Sequence, residues 1–274
     1  SKNMEALITN LELCSKADGY RTVAFPTLRN LGVSGVLTGR EVADLALDVS
    51  LPCFPGVVTV WSSVSKHVRQ KLLQRKAVSV IGLGTFHIQK WGSSENGEVL
   101  TFQRPVFSLS RAVAQIRRLK AASVPVPGEM KKVSVSYKKI CSDIPYSEKV
   151  VQSCMQETLN FFHFVLRNRE DTDFILKGVG TLAIRGTQVT MAFCKAFLLS
   201  VSGSTSMVEK LLVKKWVVSD KEVSLSPSRF GHVHQFPQFE IRAVPRRASL
   251  ADKEMFTESE SALGSMGIRG NVSD

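Results

Sequence analysis

Apolar residues recur at three- and four-residue intervals in two long segments of the chain, 55–80 and 145–174. This spacing places apolar side chains on one face of a helix, so it predicts one long amphipathic helix in each segment. Pro55 suits a first helical turn and Ser147 suits an N-cap. The positions expected on the buried faces are Val57, Val60, Trp61, Val64, Val68 and Leu72 in the first helix, and Val151, Met155, Thr158, Phe162, Val165 and Leu166 in the second.

Each long helix is followed by nearly the same short sequence, IGLGTFHIQ at 81–89 and KGVGTLAIR at 177–185. Both copies read Gly-x-Gly-Thr and continue with alternating apolar residues, a pattern that predicts a strand. A returning strand and a short helix follow each copy, with a turn at Asn96 and Gly97 in the first and near Gly186 in the second. The sequence therefore predicts one small unit that occurs twice.

Proline and glycine residues separate the two units, because neither residue type continues a helix or a strand well. We expect a short helix at 134–144 to open the second unit and one at 39–49 to open the first. Within the region after the second unit, 211–218 and 238–244 have strand-like patterns. The expected organisation is an N-terminal segment at 1–38 without an assigned fold, a first domain at 39–122, a linker at 123–128, a second domain at 129–202 and a mostly disordered tail at 203–274.

The paired glycines do not match a nucleotide-binding loop. A dinucleotide fingerprint needs a third glycine before a helix, but that position is His87 in the first copy and Ala183 in the second, and a strand follows. A phosphate-binding P-loop is excluded as well, since the sequence contains no Gly-Lys-Ser or Gly-Lys-Thr. We therefore interpret the glycines as structural and expect no bound cofactor.

Sequence blocks recur in the same order around both Gly-x-Gly strands. They are VWSSVSKHVRQKL, IGLGTF and QRPVF in the first unit, and LKGVGTLAIR and VTMAFCKAFL in the second. These blocks resemble the HU/IHF fold of bacterial histone-like proteins and, more closely, the eukaryotic coiled-coil domain-containing protein 81 family, which carries two such domains in tandem. The resemblance implies an α+β fold with two tandem HU/IHF-like domains, in which helices pack on a short antiparallel sheet or hairpin. It also implies a structural signature made of Gly82, Gly84, Phe86, Gly178 and Gly180.

The same resemblance implies a location and a role. The family is centrosome-associated, which implies a non-enzymatic scaffold or adaptor in the cytoplasm, at the centrosome or cytoskeleton. The family name implies a C-terminal coiled coil, yet 203–274 lacks sustained heptads. Bacterial HU proteins bind DNA with long basic hairpin arms. From Phe86 to Arg104 there is room only for a short hairpin, so we expect those arms to be absent.

Positive charge is concentrated in the first unit. Residues 55–122 contain 11 basic and 2 acidic residues, and so carry +9 of the net charge of +12. Such a surface suits an anionic partner, either DNA through phosphate neutralisation or an acidic protein. Without arms a protein partner is favoured, and sequence-independent DNA binding with a nuclear location is the alternative. The candidate face consists of Lys66, Arg69, Arg75, Lys76, Lys90, Arg104, Arg111, Arg117, Arg118 and Lys120.

The histidines are the first candidates for chemistry. His67, His87 and His163 lie in regular helix or strand patterns, which favours packed or solvated side chains over catalytic ones. His232 and His234 could offer two metal ligands from one strand face, but no nearby residue is expected to supply a third or fourth. No metal site is therefore expected.

The acidic residues Glu170, Asp171 and Asp173 form a turn-like cluster, which we interpret as a solvated loop. Neither this cluster nor any histidine has a neighbour that would complete a catalytic constellation. The chain is therefore interpreted as a protein that is not an enzyme.

Cysteine usage and hydropathy bear on location. Five widely spaced cysteines without a Cys-x-x-Cys pair favour a reducing, intracellular compartment. No stretch approaches the roughly 20 apolar residues of a membrane span, so no membrane partner is expected. In the tail, Arg246 and Arg247 precede Ser249 at a spacing that suits basophilic kinases, which makes Ser249 a candidate phosphosite.

The second long helix is apolar on more than one face, because Phe161, Phe162, Phe164 and Val165 follow one another closely. HU-type chains bury their apolar surface by pairing as dimers. We therefore expect the two units to pair with each other as an intramolecular pseudo-dimer.

Overall fold

The computed structural model describes residues 55–95, 98–121, 123–206, 208–209 and 226–247. The N-terminal segment 1–38, the expected helix at 39–49 and the strand-like stretch at 211–218 lie outside these residues.

The first unit consists of α1 (Pro55–Leu73), β1 (Ala77–Val80), β2 (Gly84–Glu95), β3 (Glu98–Leu109) and α2 (Arg111–Ile116). The second consists of β4 (Lys132–Ser134), α3 (Tyr137–Cys141), α4 (Glu148–Arg167), β5 (Thr172–Leu176), β6 (Gly180–Arg185), β7 (Gln188–Phe193) and α5 (Lys195–Ser202), and the strands β8 (His232–Phe236) and β9 (Glu240–Ala243) follow. The α+β class and the repeated order of elements are confirmed.

Both long helices bury the faces that their apolar spacing predicts, since every predicted position is at most 3% exposed. Helix α4 begins after Ser147, whose hydroxyl accepts a hydrogen bond from the backbone N–H of Val150. Glu148 in its first turn and Arg167 in its last turn complement the helix dipole. None of the helices in the described part of the chain has the length and apolar character that a bilayer span requires.

Two sheets share the arrangement of their first four strands, and the second sheet has a fifth. Their strand orders are β3-β2-β1-β4 and β7-β6-β5-β8-β9. Within each unit the strands pair antiparallel, whereas β4 lies parallel to β1 and β8 lies parallel to β5. Each sheet is therefore extended by a strand from the segment that follows its own unit. Strand β4 follows the linker that was expected to separate the domains, so the first sheet contains strands from both sides of that linker.

The two units share one hydrophobic core. The ring of Trp61 in α1 meets the ring of Phe174 in β5 edge to face, with the ring centroids 4.8 Å apart. The units are also joined by a backbone hydrogen bond, in which the N–H of Lys120 donates to the carbonyl of Thr187 at 2.7 Å. The two units are therefore packed against each other and are not independent domains joined by a linker.

The expectation of a mostly disordered tail is wrong for residues 226–247. Strand β9 falls within the strand-like stretch 238–244, and β8 pairs with β5 of the second sheet. Phe161 of α4 packs on Phe236 and Phe239, with ring centroids 5.5 and 5.6 Å apart. The physical reason is that β8 and β9 cover the additional apolar face of α4, which had been assigned to pairing between the units.

The first hairpin is longer than expected. Strand β1 pairs only with Gly84 to Phe86 of β2, but β2 and β3 remain paired from Gly84 opposite Leu109 to Glu95 opposite Glu98. Residues 87–95 and 98–106 therefore form a two-stranded ribbon beyond β1, which we call the ribbon. The expected absence of any arm is corrected to this extent, because the cross-strand pairing continues as far as Glu95 and Glu98.

Candidate functional site

The Gly-x-Gly turns have backbone reasons for both glycines. The first glycine of each pair has a positive φ, 82° at Gly82 and 73° at Gly178, which side chains disfavour. The second approaches a neighbouring strand. A Cβ atom on Gly84 would lie 2.5 Å from the carbonyl oxygen of Ser108, and one on Gly180 would overlap the carbonyl of Ala192. Phe86, the remaining signature residue, is buried against Phe107.

Each Gly-x-Gly turn lies at the long helix of the other unit. The Nε2 atom of His163 in α4 is 2.8 Å from the carbonyl oxygen of Gly82. On the other side, Arg69 of α1 places its Nη1 atom 3.7 Å from where a Cβ on Gly178 would stand. The two turns are therefore parts of the contact between the units.

The predicted basic face divides into bonded and exposed side chains. Arg69 donates to the Ser200 hydroxyl at 3.0 Å, and Arg104 donates to the Gln89 side-chain oxygen at 2.8 Å. Arg117 donates to the backbone carbonyl of Glu170 in the second unit at 3.0 Å. Burial lowers the pKa of the Arg104 and Arg117 guanidinium groups. The side chains of these three arginines are therefore used in hydrogen bonds within the protein.

The remaining basic residues of the face are more accessible. The Lys66 ammonium is 4.0 Å from Asp143, and the half-buried Lys76 donates to Gln74. The exposed members are Lys66, Arg75, Lys90, Arg111, Arg118 and Lys120. They are the side chains that the structure leaves for an anionic partner.

The ribbon differs in charge from the rest of the first unit. Its basic residues, Lys90 and Arg104, are balanced by Glu95 and Glu98, which are the only acidic residues in 55–122. The two glutamates are cross-strand partners at the turn end of the ribbon. From Trp91 to the turn and back to Phe102 there is no Lys or Arg. The ribbon is therefore net neutral, with its negative charge at the tip.

His67, His87 and His163 are placed as packed side chains. His67 is 6% exposed and His87 is fully buried, while His163 is half-buried at the Gly82 turn. Burial lowers the pKa of all three imidazoles. Both ring nitrogens of His87 are buried and have no hydrogen-bond partner among the described residues.

The interpretation of the acidic cluster as a solvated loop is wrong, and two of its members, Asp171 and Asp173, are buried. Asp171 accepts hydrogen bonds from the Gly186 N–H at 2.7 Å and from the Ser228 hydroxyl at 2.8 Å. Asp173 is fully buried, and its carboxylate lies 2.8 Å from Arg185 Nη1. Burial raises the pKa of Asp173, while Arg185 acts in the opposite direction. Both aspartates hold the second sheet together where residues 226–247 dock.

The third member supplies what the histidine pair was expected to lack. The Oε2 atom of Glu170 is 3.4 Å from Nε2 of His232 and 3.9 Å from Nε2 of His234. The neighbouring carboxylate raises the pKa of His232, whereas burial lowers the pKa of His234 to about 4. The sequence did not indicate this group, because Glu170 precedes β5 and the histidines arrive only with β8. Ser249 lies outside the described residues.

Two known domain families match the chain in tandem. Residues 56–121 match the family described as CCDC81 eukaryotic HU domain 1. Residues 132–205 match the family described as CCDC81 eukaryotic HU domain 2. Together the matches cover about half of the chain. The first match coincides with the first unit of the internal repeat and the second match with the second unit. These HU-like domains are a non-enzymatic domain family.

Proposed function

We propose that this chain, which belongs to the CCDC81 family of tandem eukaryotic HU domains, is a non-enzymatic scaffold or adaptor that binds a protein partner. The observation that carries the proposal is the composition of the ribbon. Proteins that insert an arm into DNA place Lys or Arg along it. Here the distal part of the ribbon contains two glutamates and no basic residue, which suits a protein surface better than a phosphate backbone.

The exposed basic residues define the kind of protein that the scaffold would bind. Arg75, Arg111, Arg118 and Lys120 are exposed in the first unit. They favour a partner with negative surface charge and speed its encounter at low ionic strength. By family resemblance the partner would be centrosomal, and the protein would act in the cytoplasm.

The contact between the units supports a second part of the proposal, that the chain works as an intramolecular pseudo-dimer. Trp61 meets Phe174 and His163 meets Gly82 within one chain, so this apolar surface is already covered. Light scattering of the full chain is expected to give the monomer mass of 30.2 kDa. A stable dimer at micromolar concentration would overturn this part.

DNA binding is the second candidate function, and the net charge of +12 favours it. Fluorescence anisotropy with a labelled duplex, at salt concentrations from about 50 to about 200 mM, measures it directly. We expect weak binding at the higher salt concentration. Micromolar or tighter binding with a steep salt dependence, abolished by Arg111→Glu with Arg118→Glu, would favour the DNA function instead.

The same variant tests the protein function. Arg117 is left intact because it bonds to the second unit, and Lys138→Glu with Lys139→Glu is a control that makes the same charge change at exposed residues of α3. Proximity labelling and microscopy of the tagged full chain in eukaryotic cells are expected to give centrosomal proteins and centrosomal signal. The signal should fall for the first variant and persist for the control. Nuclear signal with chromatin proteins as the labelled set would contradict the scaffold proposal.

A further inference from the structure

Three side chains that can bind a metal ion converge where strand β8 joins the second sheet. His232 and His234 are two residues apart on β8 and therefore lie on the same face of the strand. Glu170 stands between the end of α4 and the start of β5, the strand with which β8 pairs. One ligand atom from each of the three side chains lies within 4.8 Å of the others.

We propose that Glu170, His232 and His234 bind a divalent transition-metal ion, with Zn²⁺ as the best match. Two imidazoles and one carboxylate form a known zinc ligand set, with a fourth position left for water or another donor. Ligands about 2.0–2.1 Å from a tetrahedral ion lie roughly 3.3–3.5 Å from one another. The carboxylate oxygen is already 3.4 Å and 3.9 Å from the two histidine nitrogens. To close on an ion, the ligand atoms, which now lie within 4.8 Å of one another, would have to approach each other by about 1.5 Å at most.

The burial of the three ligand atoms supports a bound ion over a simple ion pair. The side chains of Glu170, His232 and His234 are 13%, 18% and 9% exposed. Among the described residues, Glu170 Oε2 and both Nε2 atoms are buried without a close hydrogen-bond partner, and Oε2 approaches the two nitrogens only at 3.4 and 3.9 Å. Buried polar atoms are normally satisfied, so this set is unusual. A protonated His232 would serve the carboxylate but would leave Nε2 of His234 without a partner, whereas one metal ion satisfies all three atoms.

The surrounding contacts hold the ligands in place. The ring of Phe230 lies beside the imidazole of His232, with the ring centroids 5.9 Å apart. The backbone N–H of His234 donates to the carbonyl of Asp171 at 3.0 Å, and Arg117 binds the carbonyl of Glu170 at 3.0 Å. Contacts of this kind orient metal ligands and strengthen the site.

A metal ion here would fasten residues 226–247 to the second unit. Because Glu170 belongs to the unit and both histidines belong to β8, the ion would bridge two segments that are distant in sequence. Binding to the folded chain alone would raise its thermal stability. This inference does not depend on the proposed partner, since metal binding is measured on the isolated protein.

The test is a titration of the metal-free full chain with Zn²⁺ by calorimetry and with Co²⁺ by visible absorption. We expect one ion per chain, micromolar or tighter affinity, a rise in melting temperature, and d–d bands of four-coordinate Co²⁺ without a thiolate charge-transfer band. Glu170→Gln and His232→Gln each remove one ligand, and we expect each to weaken binding at least tenfold. His67→Gln removes a histidine of α1 that is not a member of this group, and the variant should bind as the parent does.

A ligand variant could also lose metal binding because it fails to fold, and the design distinguishes this case. Circular dichroism identifies a variant that fails to fold, and the more exposed positions, Glu170 and His232, are chosen over His234 for this reason. Absence of binding by the parent chain would overturn the proposal. Binding that survives unchanged in both ligand variants, or that shows a thiolate band, would place the ion on other residues and overturn it equally.

Discussion

The Nε2 atom of His163 lies 2.8 Å from the carbonyl oxygen of Gly82, so the long helix of the second unit contacts the Gly-x-Gly turn of the first. Because a carbonyl only accepts, this nitrogen must carry the proton. Arg69 of α1 stands near the equivalent turn at Gly178. A motif that resembles a nucleotide loop is therefore a point of contact between two copies of one fold.

Replacing His163 should weaken the contact between the units. His163→Ala removes the donor to Gly82, and we expect the free energy of unfolding to fall by about 0.5–1.5 kcal/mol, the usual net value of one hydrogen bond. Urea denaturation measures the change. Gln156→Ala, at an exposed position on the same helix, is the matched control. Equal losses in the two variants would show that the Gly82 contact contributes nothing of its own.

The Trp61–Phe174 pair should show energetic coupling across the units. A double-mutant cycle with Trp61→Leu and Phe174→Leu is expected to give a coupling energy of about 0.5–1.5 kcal/mol, as for other edge-to-face aromatic pairs. The reason is that the rings meet 4.8 Å apart in the shared core. Phe193 and Phe197, which contact each other within the second unit, form the comparison pair. Additive single effects for Trp61 and Phe174 would mean that the units do not pack in solution as described.

The second glycine of each pair should tolerate no side chain. Gly84→Ala brings a methyl group against the carbonyl of Ser108, and we expect a loss of about 1–3 kcal/mol of stability, as for other overpacked sites. Thermal and urea unfolding measure it. Gly128→Ala is the control, because nothing lies within 4 Å of that position. A Gly84 variant as stable as the Gly128 variant would remove the steric explanation for the motif.

Acid should destabilise the fold through its buried histidines. Burial lowers the pKa of His67 and His87 below 6.5, with Arg104 and Lys132 adding to the effect at His87. The unfolded chain then binds more protons than the folded chain, so stability rises with pH between the folded pKa values and 6.5 and is lost as pH falls through that range.

His87→Leu isolates one contribution to this pH dependence. It replaces a fully buried ring whose two nitrogens have no hydrogen-bond partner in the part of the chain that the structure describes. We expect a smaller loss of stability between about pH 7 and about pH 5 than in the parent chain, measured by urea denaturation. If both chains lost the same stability over this range, His87 would not be a source of the acid sensitivity.

Local patterns were sufficient to predict the two long helices. Positions such as Trp61 and Phe162 follow from spacing along one helix, and they are buried as the spacing requires. The repeat was equally visible, because Gly82 and Gly178 carry matching neighbours on both sides. Features of this kind depend on residues that are close in sequence, so they can be inferred without knowing the tertiary contacts.

The docking of residues 226–247 could not be inferred in this way. Asp171 was interpreted as solvated because its partner, the Ser228 hydroxyl, belongs to a segment with no local signal for docking. Glu170 likewise gained its two histidine neighbours only through the parallel pairing of β8 with β5. The extra apolar residue Phe161 was a usable signal, since it showed that something must cover α4. The sequence did not show which segment this was.

The order of the strands has a consequence for the nascent chain. Synthesis produces Ala77–Val80 well before Lys132–Ser134, and Thr172–Leu176 well before His232–Phe236. In each case a strand that is central in the finished sheet begins as an open edge on the ribosome, where unpaired edges invite aggregation. The exposed edge of each sheet is therefore covered only after the ribosome has synthesised the later strand that pairs with it. Premature termination near residue 202 would release a chain whose second sheet still has that edge exposed.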